Sequence, residues 1–303
     1  MRTENFISEN ITVIIPVFNE EKYIIKCIDS IIKTGIKKII IEDANSQDKT
    51  IELIKNYKSN ISIKLFTNNY QKMPYDSLRF LISQVNTKWY YFIGADDTLD
   101  ANTFTKAASC IQKEGTYFIP LMEFYSEIKQ QSLGKFPSKE WFKRINNAKR
   151  RIDIIKTCLD FCTLDVSVLG VHKKSTISWV YKYLTLYSKE GINFWQVLTL
   201  LLENYPKTNV QTSDNVSMIK IFDQIHPSGD QHPNNKRKIR NNFLIKAIQS
   251  FRSCANIFIL SIRFRFSLAE TLLLLTYPRG NKVKNRKPCD APIPIRKIIE
   301  IFK

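Results

Sequence analysis

Acidic and amide side chains follow three short apolar runs in the first hundred residues of the chain. They are Asn19, Glu20, Glu42, Asp43, Asp96 and Asp97. Paired carboxylates at such points suit a hard divalent cation that bridges to phosphate oxygens. A simpler alternative for Asp96 and Asp97 is that they cap the helix that follows Asp100. Because acids also occur at the other two runs, a cation site is favoured over a helix cap.

The elements that must position these acids alternate between strand and helix. Apolar runs predict four buried strands: Ile11–Pro16, Lys38–Asp43, Ile61–Thr67 and Trp89–Gly94. Apolar residues at helical spacing predict helices over 20–33, 50–57 and 74–85. This alternation is typical of a parallel, doubly wound α/β sheet, in which ligands bind beyond the carboxyl ends of the strands. We therefore expect the acids to converge on one cleft.

Beyond residue 100 the pattern is less regular. It predicts a helix from Asp100 to Gln112, one strand over Thr116–Tyr125, basic helices over 134–160, a strand over Val166–His172 and a buried helix over Ile192–Leu202. A polar, turn-rich segment at 222–235 marks a boundary. We expect a domain over 1–235 and a separate tail over 236–303.

The tail is basic and amphipathic. It carries 16 Lys and Arg against 3 Asp and Glu, so it contributes +13 of the formal charge of +18. Its apolar residues between Phe243 and Ile262 fall on one helix face, with Ser253 and Asn256 on the other. This pattern favours an anionic membrane surface. Packing on the domain or a dimer interface is the alternative, and no nucleic-acid motif accompanies the charge.

Composition limits the class of protein. With 44% hydrophobic and 12% aromatic residues, the 303-residue chain is not mainly disordered. Its six cysteines form no CxxC pair, which argues against a zinc site or a disulfide framework and fits a reducing compartment. No apolar stretch reaches the length of a membrane span. We expect a cytoplasmic protein, peripheral on the inner face of the plasma membrane, and the sequence leaves its oligomeric state unknown.

Three motifs resemble glycosyltransferase family 2, the inverting enzymes with the GT-A fold. Ile11–Glu20 resembles the family's opening strand and loop, Glu42–Thr50 its second-strand acidic motif, and Phe92–Leu99 its metal-binding DxD segment. The resemblance weakens over 101–232. It implies an α/β GT-A (Rossmann-like) fold, a mostly parallel sheet flanked by helices with a basic helical appendage, and a nucleotide-sugar half over 1–115 followed by an acceptor half over 116–235.

The resemblance also implies a set of site residues. Those expected to bind the donor are Pro16, Phe18, Glu20, Asp43, Arg79, Ala95 and Asp96, with Lys72 as an alternative to Arg79. Asp96 and His226 are expected to bind the cofactor, which is Mn2+ or Mg2+. Asp97 is expected beside the donor sugar, and Glu190 as the catalytic base, with Asp165 as the fallback. Gly94 and Gly191 stand where relatives carry acids.

The implied function is metal-dependent transfer of a sugar, with inversion, from a nucleotide sugar of the UDP type to a hydroxyl of a surface glycan or lipid-linked acceptor. Two alternatives stay open: a sugar nucleotidyltransferase, and a non-catalytic GT-A-like protein that serves membrane or complex assembly. Of the other candidates, His172 is either a phosphate contact or an ordinary strand end. Trp141 and Tyr125 are candidates for stacking on a sugar, whereas Trp195 is expected in the core.

Overall fold

The computed structural model describes residues 3–68, 74–111, 116–119, 121–126, 130–136, 139–161, 171–184, 192–203, 205–207, 209–211, 218–221 and 243–276. Its first elements are α1 (Thr3–Asn10), β1 (Ile11–Val17), α2 (Ile24–Ile32), β2 (Lys38–Asp43), α3 (Thr50–Asn56), β3 (Ser62–Thr67), α4 (Pro74–Gln84), β4 (Trp89–Phe92), β5 (Thr98–Leu99) and α5 (Ala101–Ile111). There follow β6 (Thr116–Phe118), β7 (Met122–Ser126), β8 (Gln131–Phe136), α6 (Lys139–Asn146), α7 (Arg151–Phe161), β9 (Val171–Lys173), α8 (Lys174–Tyr183), α9 (Ile192–Glu203), β10 (Asn209–Gln211), β11 (Met218–Ile221), α10 (Phe243–Phe264) and α11 (Leu268–Thr276).

The central layer is a five-stranded sheet in the order β3-β2-β1-β4-β9. All neighbours are parallel except β9, which runs antiparallel to β4. Strand β1 lies in the middle and is buried along almost its whole length, because helices cover both faces of such a sheet. The predicted mostly parallel α/β sheet is confirmed, and β2 has the predicted bounds.

Two smaller sheets are formed by strands that follow β4 in the chain. One pairs β10 with β6, and the other has the order β5-β11-β7-β8. The prediction of one strand over Thr116–Tyr125 is therefore wrong, because β6 and β7 belong to different sheets. Pro120 lies between them in the sequence and has no backbone N–H to continue a ladder.

The predicted helical stretch over 134–160 is also corrected. Its first residues belong to β8, and the rest divides into α6 and α7. Trp195 on α9 is buried in the core as expected. Trp141 on α6 is equally buried and packs edge-on against Phe142, so its ring is not available to stack on a sugar.

Helices α10 and α11 form what we call the C-terminal appendage, residues 243–276. α10 contacts α9, and α11 contacts both α10 and α7. No helix among the described residues has the length and apolar character needed to cross a bilayer. The boundary expected at 235 lies outside the described residues and stays a prediction.

Candidate active site

The carboxyl ends of β2, β1 and β4 lie side by side. Val17 at the end of β1 pairs with Asp43 of β2, and Ile14 of β1 pairs with the last residue of β4. Because neighbouring strands lie about 4.8 Å apart, β2 and β4 run about 10 Å from each other on either side of β1. The acids that follow these ends are all buried: Glu20, Glu42, Asp43, Asp96 and Asp97. The structure thus brings them to one edge of the sheet.

The carboxylate of Asp43 has one oxygen committed to the protein and one that is not. Its Oδ2 accepts the backbone N–H groups of Asn45 and Ser46, both at 3.0 Å. Asn45 has a φ of 71°, a left-handed conformation that asparagine tolerates in turns. Oδ1 is buried and accepts no hydrogen bond from any residue that the structure describes. A buried acceptor of this kind implies a donor from a ligand or from water.

Asn68 ties the ends of two strands together. Its Nδ2 donates to Glu42 Oε1 and to the carbonyl of Asp43, both at 2.9 Å, and its backbone N–H donates to the same carbonyl at 3.1 Å. Our sequence reasoning missed Asn68. The available signal was a polar residue directly after the third strand, the same placement that identified the acids.

Two loops at this edge are joined by reciprocal hydrogen bonds. The backbone N–H of Asn19 donates to Ser46 Oγ at 2.8 Å, and Asn19 Oδ1 accepts from Gln47 N at 2.7 Å. The N–H of Glu20 donates to Thr50 Oγ1 at 2.8 Å. Asn19, with a φ of 54°, is also left-handed. The loops after β1 and β2 therefore form one connected wall of the site.

The turn after β4 brings the carboxylates of Asp96 and Asp97 to one point. A Cβ placed on Gly94 would lie 2.7 Å from Asp96 Oδ1 and 2.9 Å from Asp97 Oδ2. The two oxygens thus fill the space that a side chain at position 94 would need. The turn is closed by Asp97 N, which donates to the carbonyl of Gly94 at 3.1 Å, and by Gly94 N, which donates to Asp97 Oδ2 at 3.3 Å.

Cys27 on α2 lies beneath this turn. Its thiol is buried and donates to the carbonyl of Gly94 at 3.5 Å. Burial, followed by the negative charges of Asp97, Asp96 and Glu20, raises the pKa of the thiol well above its usual value. The negative charges of all three acids therefore act on one buried thiol. Sequence reasoning missed Cys27, because nothing in its spacing signals the contact.

The acids fit a divalent cation only in part. Two carboxylates that converge on one point are a fitting oxygen donor set for Mn2+ or Mg2+. Yet the part of the chain that the structure describes holds no group of three or more His, Cys, Asp or Glu side chains arranged around a metal position. A cation here would therefore have to complete its shell with ligand oxygens and water, as Mg2+ does when it binds phosphates.

The remaining predicted residues differ in where they lie. Pro16 and Phe18 are half-buried at the end of β1, and Ala95 is buried beside the acids. Arg79 is exposed on α4, and within the described ranges it forms no hydrogen bond or ion pair. Others lie outside the described residues: Lys72, Asp165, Glu190, Gly191 and His226.

His172 is not a phosphate contact. It is buried on β9 against the ring of Tyr90, at 5.5 Å, and neither ring nitrogen has a hydrogen-bond partner among the described residues. Burial lowers the pKa of the imidazole from 6.5 to about 3, so the folded protein keeps it neutral. Between these values the unfolded chain takes up the proton and the folded chain does not, so acidification through this range destabilises the fold.

Comparison with known families shows whether the chain shares more than a fold with other proteins. A family model for glycosyl transferase family 2 matches residues 12–169, just over half of the chain. The chain belongs to glycosyltransferase family 2. The matched range includes all three strand ends that carry the buried acids.

Individual relatives match a smaller part of the chain. The dolichyl N-acetyl-alpha-D-glucosaminyl phosphate 3-beta-D-2,3-diacetamido-2,3-dideoxy-beta-D-glucuronosyltransferase of Methanococcus voltae is 39% identical over 98 residues, 30% of this chain and 29% of that protein. The poly(ribitol-phosphate) beta-N-acetylglucosaminyltransferase TarS of Staphylococcus aureus is 27% identical over 109 residues, 34% of this chain and 19% of that protein. The matches span less than a third of the length of these curated relatives.

Solved structures show the same fold over a larger part of the chain. S. aureus TarS 1–349 in complex with UDP-GlcNAc has a TM-score of 0.54 at 16% identity, and the match covers 88% of this chain and 76% of that one. GalNAc-T7 with UDP, GalNAc and Mn2+ has a TM-score of 0.50 at 13% identity, over 70% of this chain and 43% of that one. The GT-A fold expected from the motifs is confirmed.

Proposed function

We propose that the chain is an inverting glycosyltransferase that transfers a sugar from a UDP-sugar to a hydroxyl of a surface glycan or lipid-linked acceptor. The observation that carries the proposal is the burial of Asp43, Asp96 and Asp97 at one sheet edge, within the range that the family model matches. Support for the donor comes from TarS, named as an N-acetylglucosaminyltransferase and solved with UDP-GlcNAc.

The donor's nucleotide would lie against the ends of β1 and β2. Asp43 Oδ1, the oxygen without a described partner, accepts a hydrogen bond from an N–H of the base. Its other oxygen is held by two backbone N–H groups, so the carboxylate need not reorganise when the base binds. Pro16 and Phe18 line the same pocket from β1. Arg79, exposed on α4, supplies a cation for the phosphates.

The diphosphate would lie over the turn after β4, where Asp96 holds Mn2+ or Mg2+ and His226 is a second proposed ligand. When bound, the cation neutralises the charge that develops on the diphosphate as it leaves. Asp97 is tied to the backbone of Gly94 and contacts the donor sugar from a fixed position. Glu20 adds to the negative charge that a cation offsets.

The acceptor would approach from the half of the domain over 116–235. Glu190 is the proposed base, with Asp165 as the fallback: it takes the proton of the acceptor hydroxyl as the oxygen attacks the anomeric carbon. The new bond forms opposite the departing diphosphate, which inverts the configuration. Lipid-linked acceptors are consistent with a peripheral position on the inner face of the plasma membrane, which we propose for the whole chain.

The test is release of the nucleotide from a panel of activated sugars. The full chain is incubated with UDP-, GDP- and CMP-sugars in Mn2+, Mg2+ or EDTA, and free nucleotide is measured. We expect UDP release that requires the metal and is lost in Asp96→Asn, while Asp76→Asn, an exposed acid on α4, keeps it. Pyrophosphate release from UTP and a sugar phosphate would instead indicate a nucleotidyltransferase. No turnover and no UDP binding would indicate a non-catalytic relative.

A further inference from the structure

Helix α10 buries one side against the domain and exposes a second, apolar stripe. Its buried side combines Ile257 and Leu260 with the polar residues Ser253 and Asn256. Phe251, Phe258 and Ile262 are 76%, 66% and 65% exposed. These three positions are spaced by seven and four residues, so they lie on one stripe of the helix. An amphipathic helix normally buries its apolar stripe, because that burial is the main source of its stability.

Helix α11 repeats the arrangement. Leu268, Leu272 and Leu275 are spaced by four and three residues, and all are exposed, Leu268 by 75%. We call the exposed apolar side chains of the two helices the appendage face; its members are Ile248, Phe251, Phe258, Ile262, Leu268, Leu272 and Leu275. A run of large apolar side chains on the outside of a soluble domain marks an interaction site.

Ionic contacts hold the appendage in this orientation. The guanidinium of Arg151 on α7 donates to both carboxylate oxygens of Glu270 at 3.1 Å, to the carbonyl of Arg265 at 3.2 Å and to the carbonyl of Phe264. One side chain thus satisfies carbonyls at the end of α10 and binds the first turn of α11. Ser267 and Glu270 complete the joint as a reciprocal cap of α11.

A second contact joins α10 to helices α8 and α9 of the domain. The guanidinium of Arg263 lies over the ring of Trp179 on α8, 4.0 Å from its centroid, and 3.8 Å from Glu203 on α9. Because Arg151 and Arg263 both bond across the interface, the appendage face cannot turn inward without breaking these partly buried contacts. The appendage face is therefore exposed in the folded protein.

The charge of the tail favours an anionic partner. Residues 236–303 carry +13, so two tails placed face to face would repel each other, whereas an anionic surface attracts them. Because no described helix can cross a bilayer, the 22-residue α10 would lie along the surface, where it spans about 33 Å. We propose that the appendage face docks on an anionic lipid bilayer, with its aromatic and leucine side chains at the headgroup boundary. This inference does not depend on the reaction.

The experiment measures flotation of the full chain with lipid vesicles. Vesicles of phosphatidylcholine alone are compared with vesicles that contain phosphatidylglycerol, at low and at high salt. The test variant is Phe251→Ser/Phe258→Ser/Ile262→Ser. The matched control is Tyr183→Ser/Ile219→Ser, which removes exposed apolar side chains outside the appendage. Light scattering of both variants and the wild type reports oligomeric state, and circular dichroism reports folding.

We expect the wild type to bind phosphatidylglycerol vesicles, less so at high salt, and to bind neutral vesicles weakly. The vesicle affinity of the triple variant falls by roughly tenfold or more while its helix content stays unchanged. The reason is that each substitution removes apolar area from the contact with the bilayer. The control binds as the wild type does. Equal binding of the triple variant and the wild type would overturn the proposal. So would a wild-type dimer that the triple variant converts to a monomer in the absence of lipid, since a second copy would then be the occupant.

Discussion

Gly94 offers the sharpest test of how the acids are held. A Cβ at this position would lie 2.7 Å from Asp96 Oδ1 and 2.9 Å from Asp97 Oδ2, whereas ordinary contact needs about 3.4 Å. Gly94→Ala must therefore push the two oxygens back by about 0.7 and 0.5 Å. Displacements of this size in a catalytic group reduce turnover by about 10- to 100-fold. The added methyl group also lowers the free energy of unfolding by about 1–2 kcal/mol, as overpacking does.

Gly35→Ala is the matched control. Gly35 has a φ of 85°, and nothing lies within 4 Å of a Cβ placed there. An alanine at this position is strained by the left-handed backbone, so we expect a stability loss of about 1 kcal/mol with unchanged turnover.

The assay is metal-dependent UDP release at saturating donor, with the free energy of unfolding measured by urea denaturation. We expect the two alanine variants to lose similar stability and only Gly94→Ala to lose turnover. The same geometry predicts that Gly94→Asp does not strengthen Mn2+ binding, since the space is already filled by Asp96 and Asp97. A Gly94→Ala enzyme as active as Gly35→Ala would refute the placement of the two carboxylates.

Three further predictions concern the joint to the appendage, the central sheet and the site. Arg151→Met should lower the free energy of unfolding by about 2 kcal/mol in urea denaturation, because it leaves the buried carboxylate of Glu270 on α11 without its guanidinium partner, whereas the exposed neighbour Arg150→Met should change nothing measurable; equal losses would contradict the buried role. Because burial lowers the pKa of His172 to about 3 and the unfolded value is 6.5, the wild type should lose about 2 kcal/mol between pH 7.5 and pH 5 relative to His172→Phe, and parallel pH profiles would contradict this. Asn68→Leu should weaken UDP binding in calorimetry about tenfold, since the strand end that carries Asp43 loses its amide donor; unchanged affinity would show that Asn68 has only a structural role.

The sequence was sufficient to predict the central sheet and the acids at its edge. Strands β1, β2 and β4 are continuous apolar runs, because a parallel sheet is buried on both faces, and their carboxyl ends follow from the alternation of strand and helix. Asp43 is the last residue of β2, and Asp96 and Asp97 lie in the turn that follows β4. Their position therefore depends on the chain's order alone and needs no side-chain geometry.

Contacts between distant segments were beyond sequence reasoning. The thiol of Cys27 reaches Gly94 only because α2 packs beneath the turn, and the amide of Asn68 meets Glu42 only through the register of β2 and β3. The appendage was predicted as an amphipathic helix, and the structure adds which side faces the domain. That orientation is set by Arg151 and Glu270, which are 119 residues apart in the chain.

Calorimetric titration of the full chain with UDP, with and without Mn2+, is the most direct test of the claim that the strand-end acids form one nucleotide-diphosphate site. We predict that Mn2+ strengthens wild-type binding of UDP, that Asp96→Asn removes this effect of the metal together with most of the affinity, and that Asp43→Asn weakens binding whether or not metal is present. Binding of UDP that neither substitution changes would contradict it.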